Sequence, residues 1–375
     1  MKTKKSIYIY SLLIMLCVMS SCSKNESTNP TIVEKDIFIP EHIKQTLDSH
    51  LIVDANITPP HSQTVYSYPA TLNIFEPATI NNVLFDNIGE EYDNGSDSVK
   101  IVQSEDANSM FSTILWFQSM DYITYLNALF GSMHFEDNSE TLFQHCESLL
   151  TESQAKDLET FTPESAKDTI RDKANSLNIE LAPEPYVFFA IDKSYYAEML
   201  QKVDSNELFW DHINKFDIDV NWNTDDECYY MLWNIECHGE NIFTGNYSQN
   251  VNGIAFLENG STLFACISKK ELVCFQIERT YSVAETGSLE GSILPIEDLL
   301  EHIKYEYRNL ILDTDVTITR IEFCMAPILT NADTLEYIMT PVWSVLAEKK
   351  VEYEYETFTR GTSMLFHAVT GERIR

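Results

Sequence analysis

Four stretches of the chain carry apolar residues at the spacing of a helix. In the clearest one, Thr162 is a favourable N-cap residue and Pro163 occupies the first helical position. The apolar stripe that follows, at intervals of three or four residues, consists of Ala166, Ile170, Ala174 and Leu177. The same spacing predicts helices at 40–47, 77–84 and 295–307.

Shorter apolar segments, rich in β-branched and aromatic residues, predict strands. They lie at 51–57, 65–75, 186–191, 228–235, 253–257, 262–267, 272–281, 316–324, 335–343 and 364–369. Asn259-Gly260 predicts a hairpin between two of these strands, because Asn-Gly favours the tightest hairpin turns. The segment 269–271 predicts a second hairpin, and 90–98 predicts an acidic loop. The segment 109–130 fits both the helical and the strand period, so its structure stays open.

The order of these elements predicts an α+β fold. Several predicted helices lead directly into a strand, and the strands are separated by short turns, which favours antiparallel sheets each covered by helices on one face. We expect an N-terminal α+β region at 37–160 and a C-terminal α+β domain at 161–375. The helix-to-strand units share no sequence identity, so an internal repeat is not predicted.

The first residues resemble a bacterial lipoprotein signal. Three lysines lie within the first five residues, and the apolar run 7–19 has the length of a signal-peptide core. This run is too short for a membrane span of about 20 residues. The string Met19-Ser20-Ser21-Cys22 resembles a lipobox, with Met where Leu is usual, and the resemblance implies cleavage after Ser21 and lipidation of Cys22. An ordinary secretory signal with an incidental cysteine is the alternative.

The segments that follow support an anchored protein. Residues 1–21 would be the lipoprotein signal peptide, and the polar stretch 22–36 would be a flexible tether. No later stretch reaches about 18 uninterrupted apolar residues, so no transmembrane helix is predicted. We therefore expect the protein on the extracytoplasmic face of the cell membrane or the outer membrane, held by fatty acyl chains such as palmitate.

The net charge of the chain limits its possible partners. The chain has 25 Lys and Arg against 58 Asp and Glu, a formal net charge of −33. Such a surface repels phosphate backbones, so no nucleic acid is expected as a partner. Aromatic residues make up 12% of the chain, enough for a core that argues against wholesale disorder.

Six cysteines follow Cys22 and allow 15 pairings. Cys266 and Cys274 flank the predicted turn at 269–271 and form the one disulfide that the sequence suggests, although buried free thiols are the simpler interpretation. Cys237 and His238 are adjacent, which is a poor geometry for ligating one metal ion. No metal or other cofactor is predicted.

Candidate catalytic and calcium motifs are incomplete. Ser153 and Lys156 match S-x-x-K, but the partner motifs of penicillin-binding enzymes are missing. Oxygen-bearing side chains alternate from 217 to 225, yet Trp222 and Cys228 occupy the positions where an EF-hand needs Gly and Glu. A calcium site of another type at 217–225 stays open. With no catalytic residues to name, we expect a protein that is not an enzyme.

Several short segments resemble an uncharacterised family of lipoproteins from gut Firmicutes, a domain of unknown function that would cover most of the mature chain. The segments are 51–55 (LIVDA), Ala190 with its preceding aromatic residues, 340–343 (TPVW) and 366–371 (FHAVTG). The C-terminal part is also similar to YycH/YycI-type regulators of sensor kinases and to PepSY-like extracytoplasmic modules. Those proteins usually have Asp before the final Gly, where this chain has Thr370.

These observations predict a membrane-anchored extracytoplasmic lipoprotein, a non-catalytic binding or regulatory protein of the cell envelope with a membrane-protein partner. The alternative is a glycan or peptide capture lipoprotein. It would use the aromatic and acidic stretch 210–233, because aromatic faces stack on sugars. An enzymatic function there would need two carboxylates held at a defined separation in a cleft.

Overall fold

Strands dominate the part of the chain that the structure describes. This computed structural model describes residues 37–73, 75–87, 89–92, 99–104, 109–117, 120–127, 157–159, 161–195, 197, 201, 224–251, 254–258, 260–308, 310, 312, 314–353 and 356–375. Residues 39–375 form one compact unit. Its described strands belong to two eight-stranded sheets and two small two-stranded ones.

The first large sheet is mixed. It has the order β1-β2-β18-β19-β3-β16, with β17 added to β3 and β20 added to β19. Its strands are β1 (His42–Asp48), β2 (Leu51–Thr58), β3 (Thr64–Leu72), β16 (Tyr281–Val283), β17 (Ser288–Ser292), β18 (Val316–Asn331), β19 (Glu336–Tyr353) and β20 (Glu356–His367). The pair β2–β18 is parallel, with Val316 opposite Leu51.

The second large sheet is antiparallel, in the order β4-β5-β6-β7-β15-β14-β9-β8. Its strands are β4 (Gly89–Tyr92), β5 (Val99–Ser104), β6 (Ser109–Phe117), β7 (Met120–Asn127), β8 (Val187–Ile191), β9 (Cys228–Asn234), β14 (Thr262–Ser268) and β15 (Leu272–Glu278). The small sheets pair β10 (Glu236–Cys237) with β11 (Glu240–Asn241), and β12 (Tyr247–Val251) with β13 (Ile254–Glu258).

The described helices of eight residues or more lie where the sequence predicts them. They are α1 (Pro77–Leu84), α2 (Pro163–Ser176) and α3 (Ile296–Tyr307). At the start of α2 the Ser165 backbone N–H donates to Thr162 Oγ1 at 3.2 Å, which confirms the predicted cap. Asn178 has a φ of 57° just beyond the helix, a conformation that ends it.

The predicted α+β fold with helix-covered antiparallel sheets is wrong. The chain is sheet-dominated, and one of its two large sheets is mixed. The helix expected at 40–47 is strand β1, which pairs with β2. Ile43 and Leu47 are four residues apart, and that spacing puts two side chains on one face of either a helix or a strand. The pattern therefore could not distinguish the two.

Strand pairing also corrects one of the two predicted hairpins. The segment 109–130, left open by its pattern, contains β6 and β7. The hairpin at Asn259-Gly260 does not form, because β13 pairs with β12 while β14 pairs with β9 and β15. The hairpin at 269–271 is confirmed by the β14–β15 pair. Strands from before and after residue 160 share both large sheets.

The simpler interpretation of the cysteines, buried free thiols, is confirmed for the described residues, and the alternative Cys266–Cys274 disulfide does not form. Cys266 and Cys274 lie directly opposite each other on β14 and β15, but both are free thiols. Cys266 Sγ instead lies 3.3 Å from Cys228 Sγ. All five cysteines of the described residues are buried and free.

Candidate functional site

Most sequence-predicted candidates fall outside the described residues. They are Cys22, Cys146, Ser153, Lys156, Trp210 and Trp222, together with 217–223 of the calcium candidate. Within that candidate Asp225 is described, and its Oδ1 lies 3.6 Å from Lys269 Nζ. The neighbouring Asp226 accepts from Lys270 Nζ at 2.6 Å. The lysines of the β14–β15 turn thus balance these two carboxylates.

The described aromatic residues of 210–233 belong to the core. Trp233 is fully buried, and its Nε1–H donates to the Ala182 carbonyl at 3.0 Å. Tyr229 donates its hydroxyl to the Phe161 carbonyl and accepts from the Leu158 backbone N–H. These groups offer no exposed face to a sugar. Glycan capture by this stretch would depend on its part outside the described residues.

A cavity of about 300 Å³ lies where the chain passes from the second sheet, at β15, to the mixed sheet, at β16. We call it the junction pocket. It is lined by residues from the end of α2, from β9–β10 and from the crossing segment: Asn178, Ile179, Glu180, Ile235, Glu236, Cys237, His238, Thr280, Tyr281, Ser282 and Val283.

A two-residue turn places one wall of the junction pocket. His238 and Gly239 join β10 to β11 with φ values of 53° and 79°. Two successive positive φ values define the tight turn that matches the twist of a hairpin. The His238 ring stacks on Tyr68 at a centroid distance of 4.0 Å, and its Nε2–H donates to the Ala284 carbonyl at 3.0 Å. These contacts attach the turn to the mixed sheet.

Glutamates surround this wall. Glu180 and Glu236 line the pocket, and the Glu236 backbone N–H donates to the Glu180 carbonyl at 2.8 Å. Glu240 lies opposite Cys237 on the neighbouring strand. Its carboxylate accepts from the His61 backbone N–H at 2.7 Å and lies 3.2 Å from His61 Nδ1. The imidazole of His61 is 80% exposed.

The carboxyl of Glu236 is electrostatically perturbed. Burial raises its pKa above the ordinary value, and the nearby Glu180 and Glu240 carboxylates raise the pKa further, against an opposing effect of His61. Both causes disfavour the charged form of a carboxyl. Such perturbation in a concave site is a feature of functional positions.

The floor of the pocket is buried. Cys237 is 2% exposed, and burial followed by Glu180 and Glu240 raises the pKa of its thiol to about 12. The thiol is therefore protonated at neutral pH and is a poor nucleophile. Thr280 is also 2% exposed, and its Oγ1 has no hydrogen-bond partner among the described residues. A buried hydroxyl without a partner is uncommon in a folded protein.

A second, larger cavity of about 780 Å³ lies along β2, β18, β19 and β20. Its charged residues include both signs, Asp315 and Glu348 with Lys349 and Lys350. Asp315 also lies 2.7 Å from His50 Nδ1. Acidic and basic residues are therefore balanced in this larger cavity. The described lining of the junction pocket has the acidic residues Glu180 and Glu236 but no lysine or arginine.

Within the described parts of the chain, no three His, Cys, Asp or Glu side chains are grouped to hold a metal ion. No described helix has the length and apolar character to cross a membrane. Sequence reasoning missed Glu180, Glu236 and Thr280, which lie far apart in the chain. The local signal that could have marked this region is Gly239, which permits the positive φ of the turn after His238.

Comparison with solved structures shows the fold. The chain is similar to the crystal structure, at 1.45 Å resolution, of an uncharacterized protein from Eubacterium rectale ATCC 33656. The TM-score is 0.60 at 16% sequence identity, and the match covers 90% of this chain and 94% of that one. No family model matches the chain, and no curated protein matches it. The shared architecture supports the sheet-dominated fold over the predicted α+β one.

Proposed function

We propose that the protein is a membrane-anchored extracytoplasmic lipoprotein that binds a component of the cell envelope and does not catalyse a reaction. The observation that carries the anchoring is the string Met19-Ser20-Ser21-Cys22 at the end of the apolar run 7–19. Each buried acyl CH₂ contributes about 0.8 kcal/mol, so two or more chains hold a protein on a bilayer. The acidic chain then stands on the outer face of the membrane.

The junction pocket supports the binding function. Its volume of about 300 Å³ lies at the lower end of ligand cavities. Its lining includes the buried residues Cys237 and Thr280, the half-buried Glu236 and the exposed Glu180. The lining mixes apolar residues such as Ile179 and Ile235 with polar ones, and polar groups that meet in a concave site are a feature of small-molecule pockets.

The chemistry of the pocket favours binding over covalent catalysis. The Cys237 thiol is held protonated, so it does not supply a thiolate nucleophile at neutral pH. His238 commits its Nε2–H to the Ala284 carbonyl, and His61 lies against Glu240. Among the described residues, the structure shows no hydrogen bond between either imidazole and the Cys237 thiol. Neither imidazole is therefore placed to act as a general base for that thiol.

Labelling in cells tests the anchor. The full chain would be expressed with an alkyne fatty acid, and Cys22→Ala would be compared with Cys17→Ala, a cysteine within the same apolar run. We expect Cys17→Ala to keep the label and the membrane fraction, and Cys22→Ala to lose both. Labelling that survives in Cys22→Ala would overturn the proposal.

Crosslinking tests the partner. A tagged, lipidated protein would be crosslinked in live cells and analysed by mass spectrometry, with Cys22→Ala as the control. One membrane protein captured only with the lipidated form is the expected result. Capture of no envelope component by the lipidated form would contradict a binding or regulatory function.

A further inference from the structure

We propose that the outer edge of β20 is a docking surface, which binds an extended segment of a partner protein as an added strand, with an acidic residue of that segment beside Arg360. Addition of a strand to an exposed sheet edge is a common mode of peptide recognition. The inference rests on the proposed binding function and names the surface and the chemistry of the partner. None of the residues of β20 lines the junction pocket.

The C-terminal residues of the chain show which backbone groups of β20 point outward. The His367 backbone N–H donates to the Glu372 carbonyl at 2.8 Å, and the Ile374 backbone N–H donates to the Leu365 carbonyl at 2.9 Å. In an antiparallel sheet, alternate residues of a strand direct both N–H and C=O to the same neighbour. The odd-numbered residues of β20 therefore direct these groups away from β19, and residues 372–374 already pair with one end of this edge.

Beyond these residues the edge is open within the described chain. Thr359, Gly361 and Ser363 each direct one N–H and one C=O outward, and no described strand pairs with them on that side. Thr359 and Gly361 are exposed, and Ser363 is half-buried. A row of unpaired backbone groups on a strand is a template for another extended chain.

The edge of β20 lacks the features that usually prevent strand addition. At another edge of the same sheet, β1 has an irregular register between Thr46 and Asp48 and an exposed Lys44. In contrast, β20 pairs with β19 without a register shift from Glu356 to His367, and its sequence contains no proline or lysine. Bulges, prolines and lysines are the usual protections of an edge. A long and regular edge without them is expected to be covered by a partner.

The charge at this edge selects an acidic partner. Lys349 and Arg360 lie directly opposite each other on β19 and β20, and both are exposed. The structure shows no ion pair of either cation with a described carboxylate. Like charges directly opposite each other destabilise a sheet. An acidic residue opposite Arg360 on the added strand would offset this repulsion.

An exposed apolar pair continues the same face. Phe358 is 47% exposed and lies opposite Val351 on β19. It is two residues from Arg360 along the strand, so both side chains belong to one face of the sheet. The partner segment therefore carries an acidic and an apolar residue two positions apart. A second copy of this chain fits less well, because two chains of formal charge −33 repel each other.

Peptide binding to the full chain, measured by fluorescence anisotropy, tests the inference. The probe is a labelled peptide Thr-Thr-Thr-Glu-Thr-Val-Thr, whose Glu and Val would lie opposite Arg360 and Phe358 in an antiparallel strand. A second peptide has Lys in place of Glu, and a third has N-methyl groups on the amides that face β20. We expect the first peptide to bind at least about tenfold more tightly than either control, because the controls lose a charge pair or backbone hydrogen bonds.

Two proline variants locate the binding. Thr359→Pro removes an outward N–H from β20. Thr46→Pro is the matched control and removes an outward N–H from β1, whose phase is given by the bond from the Ile57 backbone N–H to the Glu41 carbonyl. An edge strand tolerates proline where its N–H faces solvent. We expect Thr359→Pro to weaken the first peptide at least about tenfold and Thr46→Pro to leave its affinity unchanged, with thermal unfolding to confirm that both are folded.

A charge reversal tests the acidic residue of the partner without a backbone change. In Arg360→Glu the preference for the glutamate peptide over the lysine peptide should fall at least about tenfold, because the charge beside the added strand changes sign. An unchanged preference would contradict the assigned chemistry of the partner.

Other results would overturn the inference as a whole: the glutamate peptide does not bind, the N-methylated peptide binds as tightly, or Thr359→Pro binds as tightly as the unaltered chain. A dimer in light scattering that Thr359→Pro dissociates and Thr46→Pro does not would assign the edge to a second copy and would also overturn it. The proposed binding function fails separately, through crosslinking that captures no envelope component.

Discussion

Two fully buried tryptophans provide a matched test of how hydrogen bonds stabilise this chain. Trp233 and Trp343 both have 0% exposure. Trp233 Nε1–H donates to the Ala182 carbonyl at 3.0 Å, whereas Trp343 Nε1–H has no partner among the described residues. Arg171 also lies over the Trp233 ring, and Phe323 packs edge-on against the Trp343 ring. Replacement by Phe removes a similar volume at both positions and keeps a ring for these contacts.

The two replacements should therefore differ by their hydrogen-bond energies. Trp233→Phe leaves the Ala182 carbonyl without its donor, which costs about 1–3 kcal/mol. Trp343→Phe removes a donor that already lacks a partner, so a penalty of similar size, about 1–3 kcal/mol, disappears from the folded state. We expect Trp233→Phe to lower the free energy of unfolding by about 2–6 kcal/mol more than Trp343→Phe does.

Urea unfolding followed by far-ultraviolet circular dichroism measures this difference, with similar m-values for the two variants as the condition for comparing them. The double variant checks that the two effects add, as expected for separate sites. Equal destabilisation by the two single variants, or a larger loss for Trp343→Phe, would refute the reasoning.

Three other predictions concern the turn, the thiols and the glutamate. Gly239→Ala should lower the free energy of unfolding by about 1–2 kcal/mol, because its φ of 79° suits glycine, and Gly239→Asn should lower it less; equal losses in urea melts would contradict this. Iodoacetamide should label the five described cysteines only after unfolding, since all are buried, and mass spectrometry of the folded chain would detect any exception. The raised pKa of Glu236 means that the folded state binds its proton more tightly than the unfolded state does. As pH rises from the ordinary carboxyl pKa through the higher pKa of Glu236 in the folded state, the unaltered chain should lose stability relative to Glu236→Gln. If the free energies of unfolding of the two chains, from urea melts between about pH 4 and 7, change in parallel, the prediction is wrong.

Local signals were sufficient for the helices and for many strands. The N-cap at Thr162 and the apolar stripe that begins at Ala166 are sufficient to predict α2, because the backbone hydrogen bonds of a helix form within one segment of about 15 residues. The strand β1 was mistaken for a helix because its two apolar residues are four positions apart. Its choice of structure depends on β2, a partner that the period of one segment cannot show.

The candidate site depended on contacts between distant segments. Glu180, Glu236 and Thr280 follow α2, β9 and β15, and the pairing of strands within two sheets brings them together. The Asn259-Gly260 turn was predicted as a hairpin from its residues, yet its flanking strands pair elsewhere. Turn residues favour a reversal of the chain but do not determine which strands become partners.

The parallel pair β2–β18 constrains when the chain can fold. His50 and Asp315, at the start of these strands, are 265 residues apart in sequence and 2.7 Å apart through their side chains. Contacts of such separation form slowly, because a long loop must close first. During synthesis β2 has no partner on this side until β18 emerges, and an unpaired edge is a template for aggregation. A chain that stops before Val316 would therefore present a bare strand edge, and its survival would depend on chaperones that cover it.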